Sequence, residues 1–201
     1  MKRVIFIFSL TLGAAASCTA FAASSPMQRI WIVDPVHSSA EFSVKHLGFF
    51  HVKGTIPIKN AQLATGPSDL TPVTIAATLD PSGVDTKNDD RDKDLRSDNF
   101  FDVKRYPVMS FKSTKIIAGE NGNLSIIGDL TLHGVTKQIT LIAHFEGQSA
   151  DARGRQRIGY TGSAHFDRRD FGMKYGEATP GGALIVGNDI RIDIAVEAVQ
   201  K

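Results

Sequence analysis

Leu124-Ser125-Ile126-Ile127-Gly128-Asp129-Leu130-Thr131-Leu132 decides the fold class, because Leu124, Ile126, Gly128, Leu130 and Leu132 fall at every second position. A strand sends successive side chains to opposite faces, so this period-2 row describes a strand with one face buried. The preceding Gly119-Glu120-Asn121-Gly122-Asn123 is a turn cluster. Downstream the alternation recurs in Ile139, Leu141, Ala143 and Phe145, then in Ile158, Tyr160, Gly162, Ala164 and Phe166, and last in Ile190, Ile192, Ile194, Val196 and Ala198. Upstream it runs through Ala40, Phe42 and Val44, through Val52, Gly54, Ile56 and Ile58, through Val73, Ile75, Ala77 and Leu79, and through Met109 and Phe111. These rows predict an all-β protein of about eight strands. An antiparallel sheet closed into a barrel is the economical arrangement, since closure removes the exposed edges that invite aggregation.

Small residues, Gly128, Ala143, Gly162 and Ala164, sit among the large aliphatics of the later inward rows. In a barrel of about eight strands such residues either leave a cavity for one small ligand or accommodate a large neighbour or a bend. Between the third and fourth strands, Asp89 to Phe101 is too charged to be a strand and places Asp92, Leu95 and Asn99 at helical spacing, which predicts one or two short helices. From Arg91 to Phe111 the chain mixes charge with Phe100, Phe101, Tyr106 and Phe111, the composition of an apolar pocket with a polar mouth.

The amino terminus reads as a secretory signal over residues 1–22. Lys2 and Arg3 are the basic region, Val4 to Leu12 the apolar run, and Ala20-Phe21-Ala22 the cleavage site. The run is too short for the roughly 20 residues of a bilayer span. Cys18, the only cysteine, follows Ala15-Ala16-Ser17 as in a lipoprotein, but Ala15 stands where a Leu-like residue belongs, so Cys18 is expected to leave with the signal. The mature chain, 23–201, then has no disulfide and forms one domain. Losing Lys2 and Arg3 takes the formal charge from +2 to zero. That balance leaves no electrostatic footprint for nucleic acid or for an anionic membrane surface, and the expected partner is neutral or small.

Other chemistries fail on spacing. Asp90, Asp92 and Asp94 start like a calcium loop, but Leu95 and Phe101 occupy the positions that need Gly and a bidentate Glu. Six histidines, at 37, 46, 51, 133, 144 and 165, form no metal-ligand motif, and His144 and His165 are predicted on the wet face. His37-Ser38 lacks a nucleophile elbow, and His37 is expected to hydrogen-bond near a barrel end. Arg168 and Arg169 follow an inward strand, where they cap a pocket or pair with Asp170 or Asp92.

Several ordered motifs then carry a resemblance. Trp31-Ile32-Val33-Asp34-Pro35-Val36-His37-Ser38 and Phe42-Ser43-Val44-Lys45-His46-Leu47 are followed by Arg91-Asp92 with Leu95-Arg96-Ser97 and Phe100-Phe101. Tyr106-Pro107, Phe111-Lys112-Ser113-Thr114, Gly128 through Thr136, and Arg169-Asp170-Phe171-Gly172 complete the set. Across nearly the whole mature chain the sequence resembles the YceI-like family of bacterial exported lipid-binding proteins. The resemblance implies an extended, lipocalin-like antiparallel β-barrel around a long apolar pocket for an isoprenoid chain or similar fatty amphiphile, with no cofactor beyond such a lipid or quinone. It implies a periplasmic location and allows a homodimer. By motif position it nominates His37, Phe42, Arg91, Asp92, Phe100, Phe101, Phe111, His133, Arg169 and Phe171 as ligand-binding at the pocket or its mouth. The chain departs from the family pattern at Ile56, Asp94 and Asn99, where Phe, His and Asp are usual.

The expected function is therefore binding, transport or storage of a polyprenol, isoprenoid quinone or fatty amide, without catalysis. The competing readings are an enzyme using His37 or His133 on the same amphiphile and an outer-membrane barrel. The barrel would need an apolar outer band, whereas Lys53, Lys59, Arg191, Asp193 and Glu197 occupy the outward rows.

Overall fold

Alternation closes into a ring. The computed structural model describes residues 27–201, so the expected signal at 1–22 and Cys18 lie outside the described residues. Ten strands run in chain order: β1 (Arg29–Val33), β2 (Ser39–His46), β3 (Phe50–Thr55), β4 (Ile58–Thr65), β5 (Pro72–Leu79), β6 (Met109–Ala118), β7 (Asn123–Leu132), β8 (Val135–Ala150), β9 (Gln156–Asp167) and β10 (Val186–Gln200). All neighbours are antiparallel, and the β1–β10 pairing closes the sheet. Both β1 and β2 lie along one edge of β10, and β4 and β3 continue the next row, so ten segments make an eight-stave barrel.

The two broken staves explain the difference between ten strands and the predicted eight. Val33 pairs with Ala198 but Ser39 with Ala195, so the chain from Asp34 to Ser38 loops out of the ladder. The row from Val52 to Ile58, predicted as one strand, breaks at Ile56-Pro57, where proline has no N–H for a ladder. A register shift between Ile58 and Asn60 then reverses parity, so Ala61 and Leu63 take over the inward row. A second shift, between Ala64 and Thr65, leaves Pro72 buried and turns Val73, predicted inward, out to solvent.

The later staves follow the pattern closely. In β7 Leu124, Ile126, Gly128, Leu130 and Leu132 are all buried while their neighbours are not. Trp31 anchors the closure, donating its indole N–H to Thr65 Oγ1 across β1 and β4 at 3.1 Å in a fully buried pair. The predicted segment Asp89 to Phe101 contains one helix, α1, Asp89–Arg96, and a 3-10 turn, Pro81–Gly83, lies ahead of it. Asn88 caps α1 by accepting from Arg91 N at 2.9 Å, and acids in its first turn suit the helix dipole. A second 3-10 turn, Arg168–Phe171, lies between β9 and β10.

A charged clamp holds the β1–β2 corner to the far end of β9 and β10. Arg157 reaches Asp34 at 3.0 Å and Asp151 at 3.2 Å and also bonds Glu197. Hydrogen bonds from His37, Arg157 and the Val36 N–H, in that order, hold the Asp34 carboxyl at about 2. A depressed carboxyl stabilises the fold above its unfolded value of 3.8 and loses that contribution as pH falls toward 2. The melting-temperature gap between wild type and Asp34→Asn is therefore expected to close as pH drops from about 4 to about 2. A gap unchanged at the acid end would count against this clamp.

Candidate functional site

The inward rows do not meet at the axis. They surround a partly open cavity of about 230 Å³ whose walls are almost wholly apolar. On β10 the lining residues run from Val186 to Val196, roughly 30 Å of strand at ~3.3 Å per residue and about 20–25 Å along the axis for staves tilted ~35–45°. Spread over that length, the space is a narrow slot. Ile190, Ile192, Ile194 and Val196 form one side, and Leu130, Ile139 and Leu141 stand among the opposing staves.

The small inward residues divide between the two readings open to them. Ala143 and Gly162, paired across β8 and β9, line the cavity and make room. Gly128 instead lies under the Phe111 ring, where an added Cβ would come within 2.4 Å of a ring carbon. Ala164 is buried without lining the cavity.

Of the nominated residues, Phe42, Phe100, Phe101 and Phe111 reach the cavity wall. Phe100 and Phe101 follow α1, where Phe101 N donates to Leu95 O at 3.0 Å and Phe100 packs on Tyr175 with centroids 5.0 Å apart. Arg91 and Asp92 do not line the cavity wall. Asp92 is buried and accepts from Thr86 N at 2.9 Å and Thr86 Oγ1 at 2.6 Å, while Arg91 donates to Thr86 Oγ1 and O. Because Asp85 bridges Thr55 of β3, this pair straps α1 to the barrel and so positions Leu95, Phe100 and Phe101.

The remaining four nominations also fall outside the wall. His37 is exposed and hydrogen-bonds Asp34 at 3.0 Å, beyond the closed β1–β10 corner. His133 sits in the β7–β8 turn, bonded through Nδ1 to Phe171 O at 3.0 Å and edge-on to Tyr106. Phe171 is buried behind the lining residue Phe166, with centroids 5.0 Å apart. Arg169 is exposed and grips Asp167, not the expected Asp170 or Asp92. His165 is exposed as predicted, while His144 is half-buried and bonded to Asn123.

Two features escaped the nominations. The aliphatic walls were visible as the inward parity of each row, which marks facing but cannot tell cavity from packed core. Arg168 is 2% exposed and donates to the carbonyls of Gly187, Met173, Tyr175 and Val186, with no carboxylate among its hydrogen-bond partners in the described residues. Burial pulls its pKa below the ordinary guanidinium value. Its stem joins the cavity wall and its head ties β10 to the Met173–Tyr175 segment. Asp34, His37 and Glu197 bring ligand atoms within 4.8 Å of one another. Arg157 already places a guanidinium on both carboxylates.

Comparison with known proteins agrees with this architecture. A UPF0312 protein of Vibrio cholerae is 32% identical over 100% of both chains. The crystal structure of a Campylobacter jejuni YCEI protein is 31% identical, with a TM-score of 0.66 over 78% of this chain and 90% of that one. A polyisoprenoid binding domain from Saccharophagus degradans is 14% identical and shares the fold, with a TM-score of 0.64 over 85% of this chain and 98% of that one. The model of the YceI-like domain matches residues 31–198, nearly all of the barrel, and the chain therefore belongs to the YceI-like family.

Proposed function

We propose that this protein carries or stores a long-chain isoprenoid or similar amphiphile, such as a polyprenol, isoprenoid quinone or fatty amide, without transforming it. The long, narrow, apolar slot carries the reading. Each buried methylene contributes roughly 0.8 kcal/mol, so a chain laid along the slot binds through its tail alone. With almost no polar wall, the slot selects a slender tail and leaves the headgroup unread. The fold shared with a polyisoprenoid binding domain supports the same ligand class. Neither His37 nor His133, the acid/base candidates, lines the slot, which favours a carrier over an enzyme. The periplasm is the proposed location, on the strength of Lys2-Arg3, the apolar run and Ala20-Phe21-Ala22.

Titration of the purified protein with a polyprenol, read by displacement of the fluorescent apolar reporter N-phenyl-naphthylamine, tests this. The polyprenol is expected to displace the reporter, and the Phe100→Ala, Phe111→Ala double variant to bind it about tenfold or more weakly through lost ring contact. No uptake of the reporter or the polyprenol by wild type would end the carrier reading.

A further inference from the structure

The β2–β3 hairpin overhangs the barrel. Cross-strand partners share a face, and the register pairs Phe42 with Gly54, Val44 with Val52 and His46 with Phe50. Phe42 and Val44 line the slot, so Val52 and Phe50 continue the same apolar row outward from it. Val52 is half-buried, Phe50 is 61% exposed, and Phe49 in the turn beyond is 77% exposed. The row thus forms an apolar track from the interior to a solvent-facing aromatic tip.

The tip is also held in place. Leu47 and Gly48 both have positive φ, 54° and 82°, and Phe49 N donates to His46 O. Such turns favour Asn or Gly at the first of these positions, so a leucine there carries backbone strain. Leu47 N donates to Ile185 O, next to the lining residue Val186, which fastens the turn beside the slot.

Charge selects the partner. On the opposite face of the hairpin Lys45 pairs with His51 and Ser43 with Lys53, and the chain carries no carboxylate between Glu41 and Asp69. Of the nearby acids of β10, Asp193 pairs with Arg191 at 2.6 Å and the exposed Asp189 hydrogen-bonds His165. Although the mature chain is neutral overall, its hairpin presents two exposed aromatic rings at the tip, with Lys45 and Lys53 on the face opposite Phe50. That combination suits the boundary of an anionic bilayer, with rings at the acyl edge and ammonium groups among phosphates. A second copy on the free edge of β3 would bring two basic hairpins together, and edge lysines disfavour such pairing.

We infer that the Leu47–Phe50 tip docks on an anionic phospholipid bilayer and that the Phe50–Val52–Val44 row guides a lipid tail between bilayer and slot. This rests on the carrier reading, because without a tail to pass the track has no cargo. In sedimentation with phosphatidylglycerol/phosphatidylethanolamine vesicles the full chain is expected to bind, and to bind phosphatidylcholine vesicles much less. Phe49→Ser with Phe50→Ser should lower binding roughly tenfold or more. Lys45→Gln with Lys53→Gln should lower it on anionic vesicles, roughly thirtyfold for two lysines at ~1 kcal/mol each. The Lys45→Gln, Lys53→Gln variant, altered on the face opposite the track, should take up N-phenyl-naphthylamine as wild type does. Wild type remaining in the supernatant, or the serine variant binding like wild type, would overturn the inference. So would light scattering showing that the serine substitutions turn a wild-type dimer into a monomer. Reporter uptake separates the two readings: uptake without vesicle binding sinks only the docking, whereas no uptake sinks the carrier.

Discussion

Ala143→Phe is expected to weaken tail binding about two-hundredfold while leaving the barrel folded. Ala143 faces the slot beside Gly162, where the wall is thinnest in side-chain volume, and a ring placed there projects into empty space. Blocking the slot at that level would exclude about four methylenes of a bound chain, roughly 3 kcal/mol at ~0.8 kcal/mol each, or about two-hundredfold in affinity. Overpacking costs ~1–3 kcal/mol in a filled core, but Ala143 lines a cavity of about 230 Å³ that offers the ring room. Urea denaturation should therefore show stability within about 1 kcal/mol of wild type. Ala143→Val, with a shorter reach, should give an intermediate loss of affinity in the same reporter titration. Wild-type affinity in the Phe variant would mean that the tail does not lie along this slot.

How far such a site can be read from sequence depends on which physical signal each residue carries. In β7, strict alternation from Leu124 to Leu132 maps directly onto burial because the strand pairs with β8 without a register shift. Alternation misleads where bulges intervene, and both irregularities between β4 and β5 change which residues face inward without any compositional mark. Arg29–Val33 is too short for a periodic row, and Trp31 reveals its importance only through its bond to Thr65. The aromatic cluster after α1 was legible as pocket material, and Phe100, Phe101 and Phe111 do stand on the slot. Arg91 and Asp92 come from the same stretch yet act on Thr86, since a motif marks a position without stating whether its side chain serves the ligand or the strap that holds the wall. The slot itself depends on side chains from opposite staves failing to meet, a distance that no local pattern encodes.

Arg168→Leu is expected to cost about 3–5 kcal/mol of unfolding free energy, a large share of the ~5–15 kcal/mol typical of a domain. The guanidinium of Arg168, a residue only 2% exposed, gathers the carbonyls of Met173, Tyr175, Val186 and Gly187, the first of these bonds buried and the others half-buried. Leucine satisfies none of them, and a carbonyl left buried without a donor costs ~1–3 kcal/mol, the half-buried ones less. Two effects reduce the sum: the buried cation no longer pays for its own desolvation, and the Met173–Tyr175 segment can shift to admit water. Lysine should restore only part of the loss, because an ammonium has three donors and lacks the planar fork that reaches four acceptors. Urea unfolding curves for wild type, Arg168→Leu and Arg168→Lys should rank in the order wild type, lysine, leucine. A leucine variant within about 1 kcal/mol of wild type would show that these carbonyls find other partners and that Arg168 is not what holds the start of β10 to the barrel end.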